Sequence, residues 1–195
     1  MEIEEAIILQ RGMADGKVVL LGRTSGRVSG YLFAGTPLLG SVVRCRIVAT
    51  RRWYRFEDVE LIELPLCLAR GDLLFLHHVL ELCFSFVPEG SRAPELFDLV
   101  RVLYRQRTEL LTTHCKKLFL CRLLMQIGLY DQLPGIGGSA LARLLDTPVD
   151  MAAWGTIDLD CQRELDAWLL RCVASHPLVE SFNTMHFLTG RRNRS

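Results

Sequence analysis

The chain has 195 residues and carries 23 lysine and arginine residues against 22 aspartate and glutamate residues, a formal net charge of +1. This near-balance excludes a uniformly basic nucleic-acid binder of the histone type. A hydrophobic fraction of 50% excludes intrinsic disorder, and the length allows one large or two small domains.

Five short runs rich in β-branched residues, separated by glycine-containing turns, occupy the first 64 residues. Such spacing predicts five strands. Because an open sheet of this size would leave unpaired edges, we expect the strands to form a small closed or nearly closed barrel. The runs span residues 6–9, 18–21, 28–33, 42–48 and 59–64.

Apolar residues recur at spacings of three and four beyond Pro65, which predicts helices. The stretch from Leu110 to Leu129 is apolar on more than one side, which predicts a central helix. The segment 65–72 is the predicted boundary between the barrel and the helical domain. Three predicted helix faces comprise Leu73, Leu76, His77, Leu80, Phe84 and Val87, then Leu96, Phe97, Val100, Leu103 and Tyr104, and finally Leu165, Trp168, Leu169, Cys172 and Val173.

Basic residues are concentrated in the barrel segment. Residues 6–56 contain nine basic side chains and one acidic side chain, a local balance of +8. Basic and aromatic residues alternate in 51–56, as in grooves that bind single-stranded nucleic acid through phosphate contacts and base stacking. The alternative is an ordinary solvated outer face with the aromatic rings in the core. We expect phosphate contacts from Arg23, Arg27, Arg44, Arg46, Arg51, Arg52 and Arg55, and base stacking by Trp53 or Tyr54.

Two features of the second half also suggest a nucleic-acid or partner surface. A basic window covers residues 101–122, and an acidic window covers residues 131–166. The segment Leu133–Leu145 resembles a helix-hairpin-helix, in which glycines let backbone amides approach a phosphate. A glycine-rich loop with Ser139 capping a helix is the alternative.

The sequence lacks the common signatures of enzymes and metal sites. It contains no phosphate-binding Gly-x-x-x-x-Gly-Lys loop, no Gly-x-Ser-x-Gly elbow and no His-Glu-x-x-His helix. Its seven cysteines form no Cys-x-x-Cys pair, which favours neither a disulfide framework nor zinc. The N-terminus is acidic, and no apolar run approaches about 18 residues. We therefore expect a cytoplasmic, non-enzymatic protein with no membrane span, catalytic residue, cofactor or metal.

Four separated segments resemble the bacterial recombination mediator RecO family. They are Thr24–Val28, the stretch from Leu80 to Leu99 with its Pro88-Glu89-Gly90 loop, Phe119–Tyr130, and His176–Leu188. The chain is shorter than typical members and lacks their zinc-binding cysteine pairs. The resemblance implies an OB-fold barrel at the N-terminus. The expected fold is thus α+β, with an OB-like five-stranded β-barrel (1–64), a linker (65–72) and an all-helical domain (73–195).

The resemblance also implies a function and partners. Members of the family bind single- and double-stranded DNA, anneal complementary strands and help load recombinase during DNA repair. The implied partners are the acidic tail of the single-strand-binding protein and a RecR-like protein. We expect the acidic tail to bind the basic window, where its carboxylates would contact Arg101, Arg105, Lys116, Lys117 and Arg122.

A second hypothesis assigns the chain to a different class. In it, the helical domain is a protein-interaction module that binds an acidic peptide tail, and the barrel does not bind DNA.

Overall fold

The computed structural model describes residues 3–12, 16–32, 35, 37–106, 111–128 and 159–174. The predicted helix-hairpin-helix at 133–145 and the RecO-like segment at 176–188 lie outside these residues. The strands are β1 (Ile3–Arg11), β2 (Lys17–Gly22), β3 (Gly26–Leu32), β4 (Val42–Ala49) and β5 (Tyr54–Glu63). The helices are α1 (Leu66–Phe86), α2 (Pro94–Tyr104), α3 (Thr113–Gln126) and α4 (Leu159–Ala174).

The five strands form a closed barrel in the order β1-β2-β3-β5-β4, with β4 returning to β1. All neighbours are antiparallel except β3 and β5, which run parallel. Closure gives every strand two hydrogen-bonded neighbours and removes exposed sheet edges. The prediction of an α+β protein with an N-terminal OB-like barrel followed by helices is confirmed.

Two strands are buried on both of their faces. The barrel interior takes alternate residues, whereas the residues between them on β1 and β2, such as Ile7 and Leu21, are buried on the outer face. Helix α1 packs against β1, and α2 packs against β2. This double burial explains why 6–9 and 18–21 are continuous apolar runs instead of alternating ones. The interior comprises Ala6, Ile8, Val18, Leu20, Val28, Leu32, Val43, Cys45 and Phe56.

The chain divides into two compact units, Met1–Arg105 and Gln106–Ser195. The first contains the barrel together with α1 and α2, since these helices cover the outer faces of β1 and β2. The segment predicted as a linker, 65–72, is helical from Leu66 up to a kink at Asp72, whose carboxylate accepts a hydrogen bond from the Phe75 amide at 2.9 Å. The boundary between the compact units therefore lies after α2, while the functional division of the chain at 65–72 stays a prediction.

The predicted helix faces agree with the structure to different degrees. Every residue predicted for the faces in α2 and α4 is buried. The face predicted for α1 agrees in part, because Leu76, Leu80 and Val87 are buried whereas Leu73 is 50% exposed and His77 is also exposed. The buried face of α1 is centred instead on Phe75, Val79 and Leu82.

Gly30 permits the closest approach between strands β3 and β5. A Cβ at this position would lie 2.4 Å from the carbonyl oxygen of Tyr54 and 2.8 Å from the ring of Phe56. Contacts this short cannot form without moving the backbone of β5. The parallel pairing that closes the barrel therefore requires glycine at residue 30.

We expect Gly30→Ala to lower the free energy of unfolding by about 1–3 kcal/mol, the usual cost of an overpacked site. Gly12→Ala is the matched control, because its Cβ would lie 3.3 Å from Lys17 and neither glycine has a positive φ. The control should change stability by less than about 0.5 kcal/mol. Urea unfolding followed by circular dichroism measures both, and equal effects would contradict the assigned role of Gly30.

Candidate nucleic-acid interface

The barrel segment as a whole is almost neutral. Residues 1–64 contain nine basic and eight acidic side chains, because most of the acids flank the window 6–56. The +8 balance of residues 6–56 therefore does not extend to the whole barrel segment. What distinguishes one part of the barrel from another is which cations have acidic partners.

Strands β4 and β5 pair arginines with acids across the ladder. The antiparallel register places Arg44 opposite Glu60, and their side chains approach to 3.3 Å. It also places Arg46 opposite Glu57, at 3.9 Å. Opposite charges at facing positions of a sheet stabilise each other and neutralise that wall of the barrel. The remaining partners are Glu5 for Arg44, Asp58 for Arg46 and Glu57 for Arg55.

Two further arginines connect the barrel to its helices. Arg23 forms an exposed ion pair with Asp98 of α2 at 3.0 Å. The Arg27 guanidinium lies over the Phe84 ring at 5.6 Å and donates a hydrogen bond to the Phe84 carbonyl. The Arg27 carbonyl in turn accepts a hydrogen bond from the Gly90 amide at 2.8 Å. Arg27 therefore holds the end of α1 and the following turn against β3.

A cleft of about 580 Å³ contains three barrel cations that lack such partners among the described residues. It lies where the start of β2, the middle of β3 and the turn between β4 and β5 meet. Lys17, Arg51 and Arg52 line it, and all three are exposed. None of the three makes an ion pair with any residue in the described part of the chain.

The turn between β4 and β5 holds its two arginines outward. Thr50 donates its amide to the Trp53 carbonyl at 2.9 Å, and the Trp53 amide donates to the Thr50 hydroxyl oxygen at 3.2 Å. These bonds close a tight turn with Arg51 and Arg52 at its tip. Residues at a turn tip have no facing strand, so they lack the cross-strand acids that neutralise β4 and β5.

Aromatic rings border the same cleft. Trp53 packs edge-to-face on Tyr31, with ring centroids 5.2 Å apart and an interplanar angle of 77°. Trp53 remains 39% exposed, whereas Tyr54 is half-buried against the barrel interior. Trp53 is therefore more exposed in the cleft than Tyr54.

The cleft brings together four of the residues that the sequence predicted to bind DNA. They are Arg51, Arg52, Trp53 and Tyr54. The other five do not line it and are engaged as described above: Arg23, Arg27, Arg44, Arg46 and Arg55.

Sequence reasoning missed Lys17 and Tyr31. Pairing the runs 18–21 and 28–33 as a hairpin would have identified them, because they face each other across β2 and β3.

The residues predicted to bind an acidic partner tail are distributed over both units. Arg101 and Arg105 belong to the first unit, and Lys116, Lys117 and Arg122 lie on α3 of the second. Arg101 is only 16% exposed and forms ion pairs with Glu5 and, at 2.9 Å, with Glu63. The Lys117 side chain is also 16% exposed and pairs with Asp166 of α4. Arg101 and Lys117 thus serve as internal contacts of their own units.

The described residues outside the cleft offer no reactive thiol among their most deeply buried cysteines and no metal site. Burial raises the pKa of both the Cys45 and the Cys83 thiol to about 12, so neither is a nucleophile at neutral pH. No group of three or more histidine, cysteine, aspartate or glutamate side chains suited to a metal ion occurs in this part of the chain. None of its helices combines the length and apolarity needed to cross a membrane.

Comparison with known proteins adds no assignment to the site. No model of a known protein family matches the chain, and no curated protein matches its sequence.

We expect Arg101→Ala to destabilise the first unit by about 1–3 kcal/mol, because it leaves two partly buried carboxylates without their cation. This is less than the roughly 3–5 kcal/mol lost on breaking a fully buried pair, since Glu5 and Glu63 keep 29% and 23% exposure. Arg105→Ala, at an exposed position one helical turn away, should stay within about 0.5 kcal/mol. Denaturant unfolding distinguishes the two, and an unchanged Arg101→Ala midpoint would contradict the structural role.

Proposed function

We propose that the N-terminal barrel binds single-stranded DNA through this cleft, within a non-enzymatic protein of recombinational DNA repair. The observation that carries the proposal is the presence, in one cleft, of three cations that form no ion pair with a described residue, beside an exposed indole ring. Phosphates need cations and unstacked bases need aromatic faces, and single-strand binders combine the two.

The place of the cleft on the fold supports the same proposal. OB-folds bind oligonucleotides and oligosaccharides on the face of strands 2 and 3 together with the loop between strands 4 and 5. Here the lining comes from Lys17 on β2, Tyr31 on β3 and the turn that carries Arg51 and Arg52. Three cations favour an anionic ligand over a neutral sugar.

In this proposal the cations of the cleft bind the phosphates of the strand, and the indole ring binds a base. Lys17, Arg51 and Arg52 contact successive phosphates, with the arginines able to donate two parallel hydrogen bonds each. The Trp53 ring, fixed by its contact with Tyr31, stacks on one base. Because bases in a duplex are already stacked on their neighbours, this arrangement favours single strands.

The wider assignment to DNA repair rests on the resemblance to the RecO family. Two of the resembling segments lie within the first unit, in the turn from β2 to β3 and in helices α1 and α2. Strand annealing, binding of double-stranded DNA, recombinase loading, and partnership with the single-strand-binding protein tail and a RecR-like protein are proposed on that basis, together with a cytoplasmic location.

We expect the double variant Arg51→Ala/Arg52→Ala to weaken binding to oligo-dT and to flatten its salt dependence. Each phosphate contact on a single strand contributes about 0.7 to the slope of log affinity against log salt, so the slope should fall by about 1.4. Fluorescence anisotropy of a labelled strand between about 50 and 200 mM salt measures it.

The matched control is Arg44→Ala/Arg46→Ala, which removes the same charge from arginines that already have acidic partners. It should change the slope less than the variant in the turn. Equal losses in the two variants, or a flat slope in the wild-type protein, would exclude the cleft as the phosphate site.

We expect Trp53→Ala to lower affinity for oligo-dT by about 1–3 kcal/mol, the usual contribution of one stacked base. Trp53→Phe keeps an aromatic face and should recover part of the loss. Strand binding should also quench tryptophan emission in the wild-type protein. Trp154 and Trp168 remain in both variants, so quenching that persists undiminished in Trp53→Phe would show that Trp53 does not stack.

A further inference from the structure

One acidic side chain lines the otherwise cationic cleft. Among the described lining residues, Glu89 carries the one carboxylate. It is exposed and forms neither an ion pair nor a side-chain hydrogen bond within the described part of the chain, although it shares the cleft with Lys17, Arg51 and Arg52. The cleft therefore offers a ligand both cationic donors and one anionic acceptor.

The backbone fixes the position of Glu89. Its segment forms a parallel bridge with Arg27 of β3, and the Gly90 amide donates to the Arg27 carbonyl at 2.8 Å. The turn is tight, with Gly90 at φ +75° and the Ser91 amide bonded to the Pro88 carbonyl at 3.2 Å. The backbone contacts between this turn and β3 thus fix the position of Glu89 in the cleft.

A carboxylate in this position disfavours phosphate and favours hydrogen-bond donors. When the cations hold a strand by its phosphates and one base stacks on Trp53, the edge of that base remains available for hydrogen bonding. An ionised carboxylate accepts hydrogen bonds at two oxygens and is suited to a partner with two adjacent donors. Guanine has such a pair, N1–H and N2–H₂, on its Watson–Crick edge, whereas cytosine, adenine and thymine each present a single donor group there, beside acceptors.

We infer that Glu89 makes the cleft selective for guanine at the base stacked on Trp53, a specificity that rests on the proposed function. The carboxylate accepts both guanine donors, while the cations hold the flanking phosphates. Glu89 is then a specificity-determining residue, and the affinity common to all sequences comes from the cations and the indole.

The test compares strands of oligo-dT in which the central bases are replaced by guanine, cytosine or adenine. We expect the wild-type protein to prefer the guanine strand by about 5- to 20-fold, the lower part of the range for a bidentate base contact. Glu89→Gln should abolish this preference, and it should raise affinity for oligo-dT slightly because it removes a charge that disfavours phosphate. Glu95→Gln, at an exposed position in the first turn of α2, removes the same charge away from the cleft lining and should keep the preference.

Each other outcome overturns the inference in a recognisable way. If Glu89→Gln strengthens binding to every strand equally, the carboxylate only repels phosphate. A guanine preference that survives in Glu89→Gln assigns base selection to another group. If the wild-type protein binds all strands tightly and equally, the inferred guanine selectivity is wrong but the proposed function stands. If it binds no strand, both the selectivity and the proposed function are wrong.

Discussion

The parallel contact between β3 and β5 is the constraint on which the barrel and its cleft both depend. Gly30 lets the Tyr54 carbonyl approach to a distance that any side chain would prevent. Tyr54 is the first residue of β5, so the same contact fixes the end of the turn that carries Arg51 and Arg52. Trp53 then meets Tyr31, which lies next to Gly30. The cleft is therefore a direct product of barrel closure.

The strand register also decides which cations are available to a ligand. Exposed ion pairs contribute only about 0–1 kcal/mol each to stability, so the pairs of Arg44 and Arg46 matter chiefly because they neutralise the wall formed by β4 and β5. A phosphate there would have to displace a carboxylate. At the turn tip it would meet Arg51 and Arg52, neither of which forms an ion pair with a described residue. Among the described residues, the cleft therefore gathers three barrel cations, Lys17, Arg51 and Arg52, that have no acidic partner.

The sequence predicted the elements of the fold better than their pairing. Apolar runs and turn residues identified all five strands, because each strand contributes apolar residues to the barrel interior. The exposure of Leu73 and His77 in α1 could not be predicted, since it depends on the kink at Asp72 and on which side of the helix meets β1. The partners of Arg44 and Arg46 were missed for a similar reason. Glu57 and Glu60 follow them in sequence and become neighbours only through the β4–β5 register.

The two base contacts proposed for the cleft constrain how strand annealing would proceed. Stacking on Trp53 requires a base that has left its own stack, and the contact inferred for Glu89 uses the Watson–Crick edge. That edge is the one a complementary strand must pair with, so a base held in the cleft is unavailable for pairing. If the protein anneals strands, as its resemblance to RecO implies, the held base must leave the cleft before the duplex can extend through it. Exposed turn-tip cations suit this exchange, because salt-sensitive phosphate contacts let a strand slide and be released.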